Sequence, residues 1–214
     1  MIRFITFEGG DGTGKTTQIQ ALEKLLQELK RSCVVTREPG GTALGKLIRK
    51  VLLEVGESEI ALSTELFLYL ADRAQHVKEI IRPALDSGKT VLCDRFTDST
   101  LAYQGYGRGI DLSWLRRLNE TAGAGTCPDL TILFDCPVEI SLARTAQRWA
   151  RAATDRPPED RFEREQLEFH ERVRQGFLEL ARIESRRFRV IDASGSVDQV
   201  AKQIREIFDR EVAP

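Results

Sequence analysis

Glu8-Gly9-Gly10-Asp11-Gly12-Thr13-Gly14-Lys15-Thr16 stands between an apolar run, Ile2 to Phe7, and an amphipathic one. From Gly9 to Thr16 it fits G-x-x-x-x-G-K-[ST] at every fixed position. The preceding run is short, β-branched and ended by glycines, and it predicts a buried strand. The following run puts Ile19, Leu22, Leu25, Leu26 and Leu29 on one helical face. Strand, glycine-rich turn and helix in this order make a phosphate-binding loop. Its glycines let the backbone curl until successive N–H groups point at phosphate oxygens. The helix N-terminus adds partial positive charge. Lys15 supplies a point charge to the β- and γ-phosphates, and the Thr16 hydroxyl can ligate Mg²⁺.

Outward from the loop, strands and helices alternate. Cys33 to Thr36 reads as a second strand, broken by Pro39-Gly40-Gly41. Leu44 to Val55 and the long run Leu62 to Leu85 read as helices. Thr90 to Cys93, Leu130 to Phe134 and Phe188 to Ile191 complete the strands; Pro137 opens a helix, and a last one lies near Val197 to Phe208. The fold class expected is α/β, a five-stranded parallel sheet flanked by helices. Ligands in such sheets bind beyond the carboxyl ends of the strands. That puts Glu8 to Thr16, Arg37 to Thr42, Asp94 to Gln104 and Asp135 on one rim. Arg148 to Asp160, with its alanines, Pro157-Pro158 and charges, lacks a continuous apolar face and reads as a mobile lid.

The 214 residues are expected to form a single domain. Charged residues are 30% of the chain and nearly balanced, for a net charge of -1, which argues against a general nucleic-acid binder. The four cysteines form no C-x-x-C pair, so a zinc site is not expected and free thiols suit the cytoplasm. The chain shows no signal-peptide pattern and no apolar run near the ~18 residues of a membrane span.

The phosphate loop implies a nucleotide but not a reaction. A GTPase, a partition-type ATPase and a small-molecule kinase could all carry it. The Asn-Lys-x-Asp of GTPases is absent, and the position where a partition ATPase carries its second lysine is Glu8. On the other rim segments, Asp94-Arg95-Phe96 follows a buried strand. An aspartate at a strand tip can hold Mg²⁺ or orient an attacking oxygen, and the arginine beside it can grip a phosphate. A helix N-cap and a surface arginine fit the same residues, and Asp135 competes for the metal role.

Phe7 through Thr17, Thr36-Arg37-Glu38-Pro39-Gly40-Gly41-Thr42, Asp94-Arg95-Phe96 and Asp98-Ser99-Thr100-Leu101-Ala102-Tyr103-Gln104-Gly105 carry a resemblance that runs over Ile5 to about Phe208: the chain resembles the bacterial thymidylate kinases. Asn119, Pro128-Asp129-Leu130-Thr131, Asp160-Arg161-Phe162-Glu163 and Phe169-His170 match as well. It implies a P-loop kinase fold, ATP as donor, dTMP as acceptor, Mg²⁺ and a homodimer. ATP would lie on Gly9, Gly10, Asp11, Gly12, Thr13, Gly14, Lys15, Thr16 and Thr17, with Mg²⁺ on Thr16 and Asp94. Arg95 and Arg37, with Arg49 nearby, would bind the acceptor 5′-phosphate, and Asp11 would reach its 3′-hydroxyl. Arg73 would donate to thymine O4, Thr100 and Gln104 would contact the base edge, and Tyr69 would stack on the base. Tyr103 would crowd C2′ against a ribose hydroxyl.

Two positions depart from the family's habit: Phe96 stands where tyrosine is frequent, and Tyr69 where phenylalanine is commoner. Some relatives place an arginine in the loop directly after the aspartate; here that residue is Gly12. The transition-state charge would then come from the lid, with Arg151 and Arg156 as first choices and Arg148 as the third. With Lys15, Asp94 and Arg95 these make the candidate catalytic set. The rivals are a kinase for another nucleoside or nucleoside monophosphate, and a P-loop ATPase acting as a switch.

Overall fold

In a computed structural model of the chain, five parallel strands form one sheet in the order β2-β3-β1-β4-β5. Residues 2–53, 60–151, 162 and 165–212 are described. The strands are β1 (Phe4–Glu8), β2 (Cys33–Arg37), β3 (Thr90–Asp94), β4 (Leu130–Asp135) and β5 (Phe188–Asp192). The three inner strands are buried along nearly their whole length, whereas edge strands β2 and β5 are partly open. That is why β1, β3 and β4 read as continuous apolar runs: helices cover both faces.

Side chains still alternate within the runs. Ile5, Phe7, Ile132 and Phe134 point to a core formed with Ile19, Leu22 and Leu26 of α1 (Lys15–Glu28) and Val200, Ile204 and Phe208 of α9 (Val197–Glu211). Phe4, Val91, Cys93 and Phe96 pack on the other face with Val77 and Ile81. Each such large side chain is worth about 1.5–3 kcal/mol on transfer from water. The register pairs Arg37 with Asp94, Phe7 with both Asp94 and Ile132, and Asp135 with Asp192, so the carboxyl ends form one rim as expected.

The helical path Leu62 to Leu85 is present but not uniform. It comprises α3 (Leu62–His76), a π-helical turn (Val77–Ile81) and α4 (Arg82–Asp86). Pro83 accounts for the widened turn, because proline lacks an N–H and its ring collides with the carbonyl four residues earlier. A second π-helical stretch, Leu101–Gly107, follows the short helix α5 (Thr97–Thr100). Between α1 and α3 lies α2 (Ala43–Leu53). The helix α6 (Leu112–Ala122) has no counterpart in the sequence expectation; Asp111 caps it by accepting from the Trp114 N–H at 2.8 Å.

The lid boundary is corrected. Helix α7 (Val138–Arg151) includes Arg148 and Arg151, which the sequence reading placed in the loop. Nothing between Arg148 and Arg151 opposes a helix, and alanine and arginine extend one at little cost. The rest of the expected lid, 152–160 with Arg156, lies outside the described residues, as does the side chain of Arg151. Helix α8 (Leu167–Ile183) resumes beyond it and packs Phe169, Val173 and Phe177 against Leu101, Tyr103 and Leu133. Among the described residues no helix is long and apolar enough to cross a membrane.

Candidate active site

The loop leaves β1 in conformations that only glycine adopts without strain. Gly12 has φ +76°, and a Cβ there would lie 2.1 Å from the Ser141 carbonyl oxygen of α7. At Gly9, φ is +132° and a Cβ would meet the Phe134 carbonyl oxygen at 2.6 Å. Helix α1 starts at Lys15 with Gly14 as a left-handed N-cap, so its first N–H groups open toward the rim. The Lys15 ammonium is folded back on the loop, donating to the carbonyls of Gly10 at 2.7 Å and Gly9 at 3.1 Å. Burial, helped by the nearby Arg95 charge, lowers its pKa to about 8.

Next to the loop, Thr16 Oγ1 donates to Asp94 Oδ2 at 3.2 Å, and Arg37 lies 3.5 Å from the same oxygen. Asp135, the rival for the metal role, is engaged elsewhere: Arg174 holds it through two hydrogen bonds of 2.6 and 2.9 Å. A hydroxyl and a carboxylate oxygen are hard donors and suit Mg²⁺, which takes its remaining ligands from phosphates and water. Among the described residues no cluster of three or more His, Cys, Asp or Glu offers an all-protein cage.

Arg95 joins the loop to the acceptor side. Its backbone is left-handed, with φ +69°, and its guanidinium donates to the Gly9 carbonyl at 2.8 Å, Asp11 at 2.7 Å and the Tyr103 hydroxyl at 3.1 Å. Burial opposes ionisation of Asp11, but the Arg95 and Lys15 charges outweigh it and hold the carboxyl well below the usual range. Glu8 holds this corner from beneath: it accepts from the Phe96 N–H at 2.7 Å and the Ser99 hydroxyl at 2.6 Å. Burial and the neighbouring Asp98 push the Glu8 carboxyl up to about 8.

Beyond Arg95 opens a concave cavity in which polar groups converge beside aromatic rings, the general make-up of a small-molecule site. Asp11, Arg49, Tyr69 and Arg73 line it. So do Arg95, Thr100, Tyr103 and Gln104, which brings together every acceptor-side candidate except Arg37. Arg37 lines the adjoining phosphate cleft with Lys15, Thr16, Arg49, Asp94 and Arg148. Tyr69 packs beside Phe162, with ring centroids 6.5 Å apart and planes tilted by 52°, so the two rings form one aromatic side of the cavity.

Arg73 is almost fully buried, and each guanidinium nitrogen is engaged. Nε donates to Glu38 at 2.9 Å; Nη1 to Thr100 at 2.9 Å and Asn119 at 2.6 Å; Nη2 to the Phe96 carbonyl at 3.1 Å. A base carbonyl therefore has to share one of these N–H groups. Glu38, Asn119, Glu8, Ser99 and Glu65 received no role from the sequence. Glu38 and Asn119 are among the residues that carry the resemblance, but nothing local in the sequence signals that both meet Arg73.

Comparison with known proteins agrees with this architecture. A family model described as thymidylate kinase matches residues 7–204. The thymidylate kinase of Desulfovibrio desulfuricans is 53% identical over 206 residues, 96% of this chain and 94% of that protein. That of Geobacter sulfurreducens is 54% identical over 204 residues, 95% of each. The crystal structure of thymidylate kinase from Ehrlichia chaffeensis superposes with a TM-score of 0.76 at 35% identity, covering 97% of this chain and 98% of that one. The likeness runs along nearly the full length of this chain and of its relatives, and the chain belongs to the thymidylate kinase family.

Proposed function

We propose that this chain transfers the γ-phosphoryl group of ATP to dTMP, giving ADP and dTDP. One observation carries the reading: Asp11 and Arg95 line both the phosphate cleft and the acceptor cavity, so donor and acceptor phosphates meet at one point. A phosphate oxygen of dTMP attacks the γ-phosphorus in line; the bond to the β,γ-bridging oxygen breaks, and ADP leaves with that electron pair. The acceptor is already ionised at neutral pH, so no protein nucleophile is required. Positioning and charge compensation account for the rate.

In this reading Lys15 turns from the loop carbonyls to the β- and γ-phosphates. The loop amides from Gly9 to Thr17 receive the polyphosphate, and Thr16 with Asp94 holds Mg²⁺, which supplies charge neutralisation when bound. Arg95, Arg37 and Arg49 bind the acceptor phosphate. Asp11 accepts from the 3′-hydroxyl, and Tyr103 closes the space at C2′. Tyr69 stacks on thymine, while Arg73, Thr100 and Gln104 read its edge. Within a single 1–214 domain, Arg151, at the C-terminal end of α7, and Arg156, on the lid that follows it, compensate the charge developing on the transferred group.

The apolar residues Leu44, Leu47 and Val51 of α2 and Leu62 and Phe67 of α3 are exposed on two packed helices, which supports a homodimer through that face. Sedimentation as a monomer would contradict it. The four unpaired cysteines and the substrates fit a cytoplasmic location. The test of function is a coupled assay with ATP and dTMP. Stoichiometric ADP and dTDP are expected; ATP hydrolysis without dTDP would favour a switch ATPase.

A further inference from the structure

Gln104 is 2% exposed and lines the acceptor cavity, and its Nε2 donates to Glu65 Oε1 at 2.8 Å. Glu65, in the first turn of α3, is 0% exposed. Its other oxygen, Oε2, lies 3.5 Å from Arg108 Nη2, and the Arg108 guanidinium sits over the Phe169 ring at 4.6 Å. Carboxylate oxygens accept hydrogen bonds and do not donate. Glu65 therefore orients the carboxamide: the NH₂ end faces Glu65 and the oxygen end faces away. The reverse orientation would set the amide oxygen against a buried carboxylate oxygen, leaving two acceptors unsatisfied.

No described residue donates to Gln104 Oε1, so the cavity is offered an acceptor. Beside it, Thr100 Oγ1 accepts from Arg73 Nη1 at 2.9 Å, and its own hydrogen goes to no described residue. The pair presents an acceptor next to a donor. A 4-oxo pyrimidine offers the complement, N–H at position 3 and C=O at position 4. A 4-amino pyrimidine reverses both, with a lone pair at position 3 and an NH₂ group at position 4.

We infer that Glu65 is a positioning residue: by fixing the Gln104 carboxamide with its oxygen toward the base, it sets the preference for 4-oxo over 4-amino pyrimidine nucleotides. This rests on the reading of the cavity as the dTMP site. A purely structural Glu65, pinning α3 to the 101–107 stretch, would affect both substrates alike.

The experiment compares kcat/KM for dTMP and dCMP, with melting temperature recorded for each variant. In E65Q the side chain at 65 can donate or accept, so Gln104 is released to rotate. The dTMP/dCMP ratio should fall at least about tenfold, through loss for dTMP and gain for dCMP. In the double variant E65Q/Q104E the amide at 65 donates to the carboxylate at 104, an acceptor again faces the base, and the ratio should return. Equal loss for both substrates in E65Q, or a folded double variant that fails to restore the ratio, overturns the inference. If E65Q does not fold, the double variant decides alone: a ratio near that of the unmodified chain supports the role, and a collapsed one refutes it. Gln104→Ala separates the two layers. If it leaves the ratio intact, the cavity does not read the base and the inference falls with that reading. If it collapses the ratio while E65Q does not, only the role of Glu65 fails.

Discussion

Replacing Gly12 with alanine tests whether helix α7 closes the phosphate loop from behind. The residue has φ +76°, and an added Cβ would stand 2.1 Å from the Ser141 carbonyl oxygen and 2.6 Å from Thr145 Oγ1. A left-handed alanine costs about 1–2 kcal/mol. The contact with a helix carbonyl cannot be relieved by a side-chain rotation, and overpacking of this kind adds about 1–3 kcal/mol. The sum is about 2–5 kcal/mol, or a drop in Tm of about 5–20 °C for a chain of this size. Gly14 provides the control: its φ is +93°, but a Cβ there meets nothing within 4 Å. Gly14→Ala should therefore show only the conformational cost, about 1–2 kcal/mol. Thermal melts of both variants, followed by calorimetry or circular dichroism, measure the difference directly. If Gly12→Ala melts within about 2 °C of Gly14→Ala, α7 does not crowd the loop and the reasoning fails. The same geometry has a catalytic consequence. Gly12→Arg should not place a charge at the transferred group, so it should not rescue a chain that has lost Arg151 and Arg156.

Lys15→Ala should lower kcat by about 10²–10³-fold while the chain stays folded, and turnover near that of the unmodified chain would remove the phosphate-loop assignment. Arg151→Ala and Arg156→Ala should reduce kcat with little change in the KM for dTMP, because the interaction is made in the transition state; unchanged kcat in both singles and the double would refute a lid source. Glu8 makes stability depend on pH. Its carboxyl is raised from 4.5 to about 8 by burial and by Asp98, so the folded chain keeps a proton that the unfolded chain loses above pH 4.5. Its contribution is full below pH 4.5 and declines as pH rises toward 8, on the order of a few kcal/mol across that window. Glu8→Gln should flatten that part of the Tm profile, and a profile parallel to that of the unmodified chain would show that Glu8 does not titrate there.

Much of the architecture could be read locally. The apolar runs at Phe4, Thr90 and Leu130 read as strands, and the 3.6-residue spacing from Ile19 to Leu29 as a helix with one apolar face; the structure makes the runs the inner strands and turns that face to the core. The glycines and Lys15 fixed the chemistry of the loop, since a phosphate cradle needs free amides and a cation at that spacing. Helix α6 has a local mark too, Asp111 before Leu112, Leu115 and Leu118, but the signal is short, and only the Asp111 cap in the structure makes it plain. The reach of α7 to Arg151 has no strong local mark: Pro157-Pro158 restrict only the residue directly before them and do not fix where the helix ends.

By itself the sequence determined that a parallel sheet carries a phosphate loop on its rim, and which family the chain resembles; these are properties of neighbours in the chain, where burial repeats with the period of strand or helix. Only the tertiary structure decided which polar groups meet. Asp94 rather than Asp135 stands beside Thr16, while Arg174 of α8 holds Asp135. Arg73, taken from the sequence for a donor to the base, is held by Glu38, Thr100 and Asn119. Glu8 reaches Ser99, and Glu65 reaches Gln104. These partners lie 27 to 91 residues apart in sequence. A carboxylate and its donor leave no periodic mark on the chain. They find each other only where packed elements bring them within about 3 Å and exclude the water that would otherwise satisfy both.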